Sequence, residues 1–270
     1  MEEAIDAVEW KEPAPDGGSQ AQIFRLADDR IAVVKFAENP QGPRVLFNEF
    51  VSCRLAETLE LPINRAVMVR VEASTLTIPK RDKCPAAFNA GIHCGLIRYP
   101  DAAKTDPAND LFKRTKNTAE LHSVLVFEQL VARSDSRQLL VYPATAPEQS
   151  FAAYDYGHAF GGTPAWTEAA VKALPPPPLP GMDAVGGTYT TGDHQRTIID
   201  RLRRMQDEEV EAVIGALGLP RWGVTVEEGR VIAAVVLERA RALVKAYDEK
   251  YPPKATGKPG DDAARVGGAS

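Results

Sequence analysis

Apolar and polar positions in the first third of the chain follow a two-residue period that predicts β-strands. Two apolar segments lie on either side of a short polar turn, the pattern of a hairpin, and a third alternates valines with other residues; these strands are predicted at 21–26, 30–36 and 65–71. Between them, residues 44–59 contain no Gly or Pro and repeat apolar side chains at helical spacing. We therefore expect several strands and one helix in this third.

The pattern changes to helical spacing in the second half. Residues 79–116 carry scattered Pro, Lys and Asp and are predicted to be mostly loop. A largely apolar helix, a small hairpin and two or three final helices are predicted to follow at 118–131, 139–142 with 151–154, 193–204, 207–217 and 227–249. The last helix is amphipathic, which favours ordinary packing over binding of a partner.

This order of elements predicts an α+β fold with two lobes. A β-rich N-lobe is expected over residues 1–110 and a mainly helical C-lobe over residues 111–251. The prolines of residues 175–180 predict a stiff extended spacer between helices, or else a ligand for a proline-reading module. Residues 252–270 are rich in Gly, Pro, Ala and Asp and are expected to form a disordered tail.

Composition describes an ordinary globular protein and limits its partners. The 270 residues are 44% hydrophobic and 26% charged, and a net charge of −5 argues against direct nucleic-acid binding along a basic face. The acidic N-terminus lacks the regions of a signal peptide, and no apolar run approaches the roughly 20 residues that a membrane span needs. We expect no membrane partner and a cytoplasmic location, which fits the sparse, odd set of cysteines, Cys53, Cys84 and Cys94.

A lysine in an apolar strand has a candidate partner on the following helix. Lys35 follows the apolar run 31–34, so its charge must point at solvent or at a partner. Glu49 lies on the apolar face of the predicted 44–59 helix, where its carboxylate also needs a cation. One interpretation is an ion pair in which Lys35 also holds the α- and β-phosphates of a nucleotide. The other is a surface lysine and a boundary glutamate that both reach solvent.

Two aspartates follow in an order that suits phosphoryl transfer. Asp135 lies in a short polar loop after the predicted 118–131 helix, and Asp155 ends the next hairpin. Asp155 begins an Asp-x-Gly run, in which the glycine lets a magnesium ligand approach phosphates. Asp135 is the candidate base near an acceptor hydroxyl. Each aspartate alone is also an ordinary turn residue; their order after Lys35 and Glu49 favours a phosphoryl-transfer site.

A glycine pair precedes the first strand of the predicted hairpin. Adjacent glycines let backbone N–H groups approach an anion closely, and the neighbouring polar residues can add to such a cradle. The alternative is a plain turn. The candidate phosphate-binding residues here are Gly17, Gly18, Ser19 and Gln20.

Several short segments resemble the bacterial HipA-like kinase family over roughly residues 17–245. The most specific are Asn39-Pro40-Gln41-Gly42 and Asp155-Tyr156-Gly157-His158-Ala159-Phe160; the others are Val33-Val34-Lys35-Phe36, Asn48-Glu49-Phe50, Arg54-Leu55-Ala56, Ala90-Gly91-Ile92-His93 and Val126-Phe127-Glu128-Gln129. The resemblance implies a protein-kinase-like fold, ATP with magnesium, and phosphorylation of a Ser or Thr hydroxyl on an unknown protein substrate. By position, Lys35 would bind phosphates, Asp135 would be the base and Asp155 would bind magnesium.

The loop after Asp135 departs from the family pattern. The family usually carries Asn-x-Asp-Arg and then an Asn before Leu-Leu, which gives a second magnesium contact. Here Gln138 stands directly before Leu139-Leu140, in a shortened loop. A glutamine can offer its carbonyl oxygen to a cation, so Gln138 is the second predicted metal ligand. The sequence predicts an ATP-dependent Ser/Thr kinase; the alternative is a catalytically weak pseudokinase or nucleotide-binding interaction module.

Two other kinds of site receive little support from the sequence. No Gly-x-Ser-x-Gly run indicates a serine hydrolase. No Cys-x-x-Cys pair is present, and the remaining candidates for a zinc site have no ordinary zinc spacing; these are Cys53, Cys84, His93, Cys94 and His122.

Overall fold

The computed structural model describes residues 3–15, 18–76, 78, 88–161, 165–181, 192–215 and 222–252. Within these ranges lie eight strands, β1 Ile5–Pro13, β2 Gln22–Leu26, β3 Ile31–Lys35, β4 Ala66–Val71, β5 Gly91–Ile97, β6 Ala103–Thr105, β7 Gln138–Tyr142 and β8 Ser150–Tyr154. The same ranges contain seven α-helices, α1 Arg44–Thr58, α2 Asp110–Lys113, α3 Leu121–Leu130, α4 Glu168–Lys172, α5 Gly192–Arg204, α6 Asp207–Val210 and α7 Val226–Lys250.

Five strands close into a barrel in the order β1-β2-β3-β5-β4. Neighbouring strands are antiparallel except β1 and β4, whose parallel pairing closes the barrel with Ile5 opposite Val69. The β2–β3 turn uses Asp29 at a φ of 64°, a left-handed conformation that Asp tolerates better than most residues. The predicted strands at 21–26, 30–36 and 65–71 and the helix at 44–59 are confirmed.

The alternation of β4 explains how the barrel meets α1. Val67, Val69 and Val71 point into the barrel core, whereas Met68 belongs to the larger core that contains the apolar side of α1. This is the two-residue period of a strand that is buried on both faces. The packing of α1 against β4 and β5 fixes the helix beside the end of β3.

Two predictions about strands were wrong or incomplete. Residues 79–116 were expected to be mostly loop, but they contain β5, β6 and α2; residues 79–87 lie outside the described part. The sequence pattern did not indicate β5, because the strand contains two glycines and Gly normally weakens β-structure. Glycine at position 95 avoids a steric clash, because a Cβ there would lie 2.5 Å from Cγ2 of Val69. The acidic segment that forms β1 was not predicted as a strand.

The second half builds a small sheet and a group of helices. The sheet has the order β6-β7-β8, and the predicted hairpin at 139–142 and 151–154 is its β7–β8 pair. The helices α1, α3, α5 and α7 share one large hydrophobic core with parts of β4 and β5. Mixed helix and strand content is therefore confirmed. Because β6 pairs with β7 and the core is shared, the two-lobed division near residue 110 stays a prediction.

Helix ends follow the expected signals with one difference. Thr225 and Glu228 form a capping box at the start of α7. The predicted 207–217 helix is instead α6 followed by a π-helical turn at Glu211–Gly215, and residues 216–217 lie outside the described part. The predicted disordered tail is also outside it from residue 253 onward. Among the described helices, none is long and apolar enough to cross a membrane.

The proline segment is held against the helices, which favours the spacer interpretation. The carbonyl of Pro175 accepts a hydrogen bond from Arg239 of α7 at 2.6 Å, and that of Pro180 accepts one from Gln195 of α5 at 3.0 Å. Pro177 and Pro180 are buried. The extended residues therefore bridge α5 and α7.

Candidate functional site

The end of β3 carries a buried lysine that meets two carboxylates. Lys35 Nζ lies 2.5 Å from Oε2 of Glu49 and 2.7 Å from Oδ1 of Asp155, and its side chain is 8% exposed. Glu49 is 14 residues away in sequence and Asp155 is 120 residues away. The fold thus brings together three of the predicted site residues, from β3, α1 and the turn after β8.

Glu49 connects Lys35 to the turn that contains Asp155. Its side chain is fully buried on α1, and its second oxygen, Oε1, accepts a hydrogen bond from the backbone N–H of Tyr156 at 2.9 Å. Both oxygens of the carboxylate are therefore used, as a buried charge requires. The position of Lys35 and the backbone beside Asp155 are fixed by one side chain.

The Asp155 turn has an unusual and closely packed backbone. Asp155 has a φ of 64°, in the left-handed region. A Cβ on Gly157 would lie 2.9 Å from Cγ1 of Val45 and 3.6 Å from Nζ of Lys35. Glycine at 157 is thus required for the close approach of this turn to the Lys35–Glu49 pair.

The charges of the three groups are strongly linked. Burial opposes the charge of Lys35, but Glu49 and Asp155 outweigh it and raise the pKa of the lysine above its ordinary value. Burial likewise opposes the charge of Asp155, but the facing ammonium lowers the pKa of this carboxyl below its ordinary value. Burial raises the pKa of Glu49, and Lys35 opposes that rise. Lys35 is therefore a permanent cation with an ionised Asp155 beside it.

Asn48, beside Glu49 on α1, holds the rest of the Asp155 turn. Its amide nitrogen donates to the carbonyls of Gly157 at 2.8 Å and Ala159 at 3.3 Å. Its amide oxygen accepts from the indole N–H of Trp166 at 2.8 Å. Asn48 is fully buried, so these bonds satisfy a polar group that could not remain unpaired.

The predicted catalytic loop lies next to this turn. The backbone N–H of Ser134 donates to the carbonyl of His158 at 3.2 Å. Asp135 is exposed, and its Oδ1 accepts from the backbone N–H of Ser136 at 2.7 Å. Gln138 begins β7 directly opposite Tyr154, the residue before Asp155. The structure thus places Asp135 and Gln138 beside the Asp155 turn.

A buried glutamate on α3 fixes the same loop. Glu128 bonds Arg133 at 3.1 Å and Arg137 at 2.5 Å. The side chain of Arg133 is 1% exposed; its guanidinium lies 4.6 Å from the ring centroid of Tyr156 and donates to the carbonyl of Ser136 at 2.7 Å. These charge-assisted hydrogen bonds therefore fix the loop around Asp135.

The glycine turn, described over residues 18–20, lies between β1 and β2 along the chain. Gly17 lies outside the described residues. Gly18 is exposed, Ser19 is buried, and Gln20 has a φ of 51°. A Cβ on Gly18 would lie 2.9 Å from Nε2 of Gln41, so this turn lies against the end of the Gln41 side chain.

These residues fit a nucleotide phosphate with a divalent cation. Lys35 supplies a fixed cation, and Asp155 supplies a carboxylate with 32% side-chain exposure. Among the described residues, no three His, Cys, Asp or Glu side chains are grouped so that they could hold a metal ion. Mg²⁺ is commonly held by one or two carboxylates together with substrate phosphates, which is what this arrangement offers.

Several residues of the site were not assigned roles from the sequence. These are Asn48, which bonds Gly157 109 residues away, and Glu128 and Arg133, which bond each other only five residues apart. One signal was present for Glu128: it is the charged residue of a largely apolar helix, with arginines five and nine positions later.

The overall fold is similar to that of a known kinase. The crystal structure of the Helicobacter pylori proinflammatory kinase CtkA matches with a TM-score of 0.60 at 11% identity, covering 93% of this chain and 100% of that chain. Two crystal structures of the Golgi casein kinase, one with Mn/ADP bound, match with TM-scores of 0.47 and 0.45 at 10% identity. They cover 92% of this chain and 72% and 73% of theirs.

The sequence comparisons give no family. The sequence matches no protein-family model and no curated protein, so these comparisons add nothing specific to the HipA-like resemblance. The match to CtkA covers nearly the whole of both chains. The chain has a kinase-like fold.

Proposed function

We propose that this chain is an ATP-dependent Ser/Thr protein kinase of the HipA-like type. The observation that carries the proposal is the buried Lys35, which Glu49 and Asp155 hold at 2.5 Å and 2.7 Å. A lysine on a strand, paired with a helix glutamate beside a metal-binding aspartate, is the phosphate-binding arrangement of protein kinases. In this proposal the nucleotide lies between the N-lobe of residues 1–110 and the C-lobe of residues 111–251.

Each charged group then has one task in binding. Lys35 bonds the α- and β-phosphate oxygens, and Glu49 keeps its ammonium in place. Asp155 and the carbonyl oxygen of Gln138 hold Mg²⁺. When bound there, Mg²⁺ would supply positive charge that offsets the negative charge of the phosphates during transfer. Gly17 and Gly18, with Ser19 and Gln20, cover the phosphates with backbone N–H groups.

The transfer step needs a base and an acceptor. Asp135 accepts the proton of a Ser or Thr hydroxyl on a protein substrate. The hydroxyl oxygen bonds to the terminal phosphorus, the bond from that phosphorus to the bridging oxygen breaks, and ADP leaves with the electron pair. Glu128 keeps the Asp135 loop in place through Arg133 and Arg137.

Two observations favour a second candidate, a nucleotide-binding pseudokinase or interaction module. Asp135 Oδ1 is already bonded to the adjacent backbone N–H of Ser136, and the predicted second metal ligand is Gln138 in a shortened loop. Both features weaken the transfer step and leave the Lys35–Glu49–Asp155 group intact. Binding without transfer would then be the function.

Transfer of label from γ-labelled ATP separates the two candidates. The wild type is incubated with ATP, Mg²⁺ or Mn²⁺, and Ser- and Thr-containing proteins, including itself. We expect label transfer that is lost in Asp135→Ala and kept in Asp106→Ala. Asp106 is the matched control, because it is an exposed turn aspartate that also bonds a nearby backbone N–H.

The other outcomes have clear meanings. No transfer with any metal, while ATP still raises the melting temperature, supports the binding module. Neither transfer nor a thermal shift contradicts both candidates. Transfer that persists in Asp135→Ala removes the assignment of the base while keeping the kinase.

A further inference from the structure

One glutamine links the glycine turn to the Asp155 turn. Nε2 of Gln41 lies 3.3 Å from Nε2 of His158. The same nitrogen would be 2.9 Å from a Cβ on Gly18, so the side chain rests directly against the glycine turn. The proposed reaction described above uses neither Gln41 nor His158.

The turn that carries Gln41 is fixed by its own hydrogen bonds. The side chain of Asn39 donates to the carbonyls of Phe36 at 2.6 Å and Gly42 at 3.0 Å. It also accepts from the backbone N–H of Gln41 at 2.9 Å, and Asn39 is buried. Gly42 has a φ of 90°, which favours glycine. Gln41 is therefore presented by a preorganised turn.

The Gln41–His158 contact lies at the transfer end of the site. The carbonyl of His158 accepts from Ser134, the residue before the proposed base Asp135. His158 also follows Asp155 by three positions in the same turn. A phosphoryl group in reach of a hydroxyl at Asp135 would therefore lie near the turn that carries both Asp155 and His158.

The chemistry of the contact suits an anion. The Gln41 amide nitrogen can only donate, so in this orientation Nε2 of His158 is the acceptor, in the tautomer that carries its proton on Nδ1. When Nε2 carries a proton, it and the Gln41 amide are two converging donors that lack an acceptor between them. A phosphate oxygen can accept from both, and hydrogen bonds to charged acceptors are the stronger kind.

We propose that Gln41 and His158 contact the terminal phosphate of a bound nucleoside triphosphate and so distinguish the triphosphate from the diphosphate. The inference rests on the proposed function, since it assumes that a nucleotide binds at Lys35 and Asp155. It adds two residues that select the form of nucleotide and present it for transfer.

The test compares ATP with ADP in the same variants. Affinities for Mg-ATP and Mg-ADP are measured by titration calorimetry for the wild type, Gln41→Glu and His158→Ala. Gln41→Glu keeps the shape of the side chain and puts a carboxylate beside the terminal phosphate. Gln206→Glu, at the exposed start of α6, is the control for the change in charge.

We expect both variants to lower ATP affinity about tenfold or more, which is the effect of losing one hydrogen bond to a charged group. ADP affinity should change much less, so the ATP-to-ADP ratio falls; Gln206→Glu should leave the ratio unchanged. A wild-type ratio in both variants overturns the inference and leaves the proposed function standing. A wild type that binds neither nucleotide overturns both.

Discussion

Replacing Glu49 with alanine removes the side chain that fixes the centre of the candidate site. The fully buried carboxylate bonds Lys35 Nζ at 2.5 Å and accepts from the N–H of Tyr156 at 2.9 Å. After the substitution, Lys35 keeps only Asp155 of its two carboxylates, and the Tyr156 N–H loses its acceptor in a buried position. We therefore expect a large loss of stability.

The two losses set the magnitude. A charge-assisted hydrogen bond contributes about 1.5–3 kcal/mol, and an unsatisfied buried donor costs about 1–3 kcal/mol. Together they predict that Glu49→Ala lowers the free energy of unfolding by about 3–5 kcal/mol, the usual effect of breaking a buried ion pair. Glu49→Gln keeps one oxygen as an acceptor for Tyr156 but turns an NH2 group toward the Lys35 ammonium, so the bond to Lys35 is lost and about 1.5–3 kcal/mol is expected.

Equilibrium unfolding in urea, followed by tryptophan fluorescence, measures these changes. The matched control is Glu57→Ala, on the same helix, whose side chain is 47% exposed and pairs with Arg54 at the surface. The control should change the free energy of unfolding by less than about 1 kcal/mol. A Glu49→Ala variant as stable as the Glu57→Ala variant would refute the reasoning.

Three further predictions concern other contacts. Arg239→Ala should lower the free energy of unfolding by about 3 kcal/mol or more, because Arg239 is buried and donates to three carbonyls. A melting temperature within 2 °C of the wild type, which corresponds to roughly 1 kcal/mol, would contradict this. Gly157→Ala should weaken ATP binding, and Val45→Ala, which removes the clashing methyl, should restore part of it; a double variant no better than Gly157→Ala would count against the clash. Because Lys35 lowers the pKa of Asp155, the stability due to this pair is present above the unfolded pKa and is lost on acidification. Urea unfolding of Asp155→Asn should therefore show a shallower fall in stability from about pH 5 to pH 3 than the wild type; equal slopes would contradict it.

Much of the fold could be predicted because its strands and helices carry local periodic patterns. The alternation of β4 is an example, since Val67, Val69 and Val71 do face one core while Met68 faces another. β5 could not be predicted in this way. Its Gly95 is explained by Val69 on the neighbouring strand, a contact that the sequence does not display.

The candidate site also contains some contacts that the sequence predicts and others that it does not. Lys35 and Glu49 could be paired from sequence because a charge on an apolar strand and a charge on an apolar helix face each need a partner, and the structure places them in contact. The contact between Lys35 and Asp155 and the role of Asn48 depend on how distant segments fold together. The role of Asp135 stays a prediction, because its carboxylate contacts only its own loop among the hydrogen bonds observed.

The most direct test of the central claim is the affinity of Lys35→Met for ATP. Methionine preserves the length of the side chain and removes the ammonium that is held by Glu49 and Asp155. With Mg-ATP in titration calorimetry, the wild type should bind and Lys35→Met should bind about tenfold or more weakly. Equal affinity in the two proteins, or a wild type that does not bind ATP, would contradict the account.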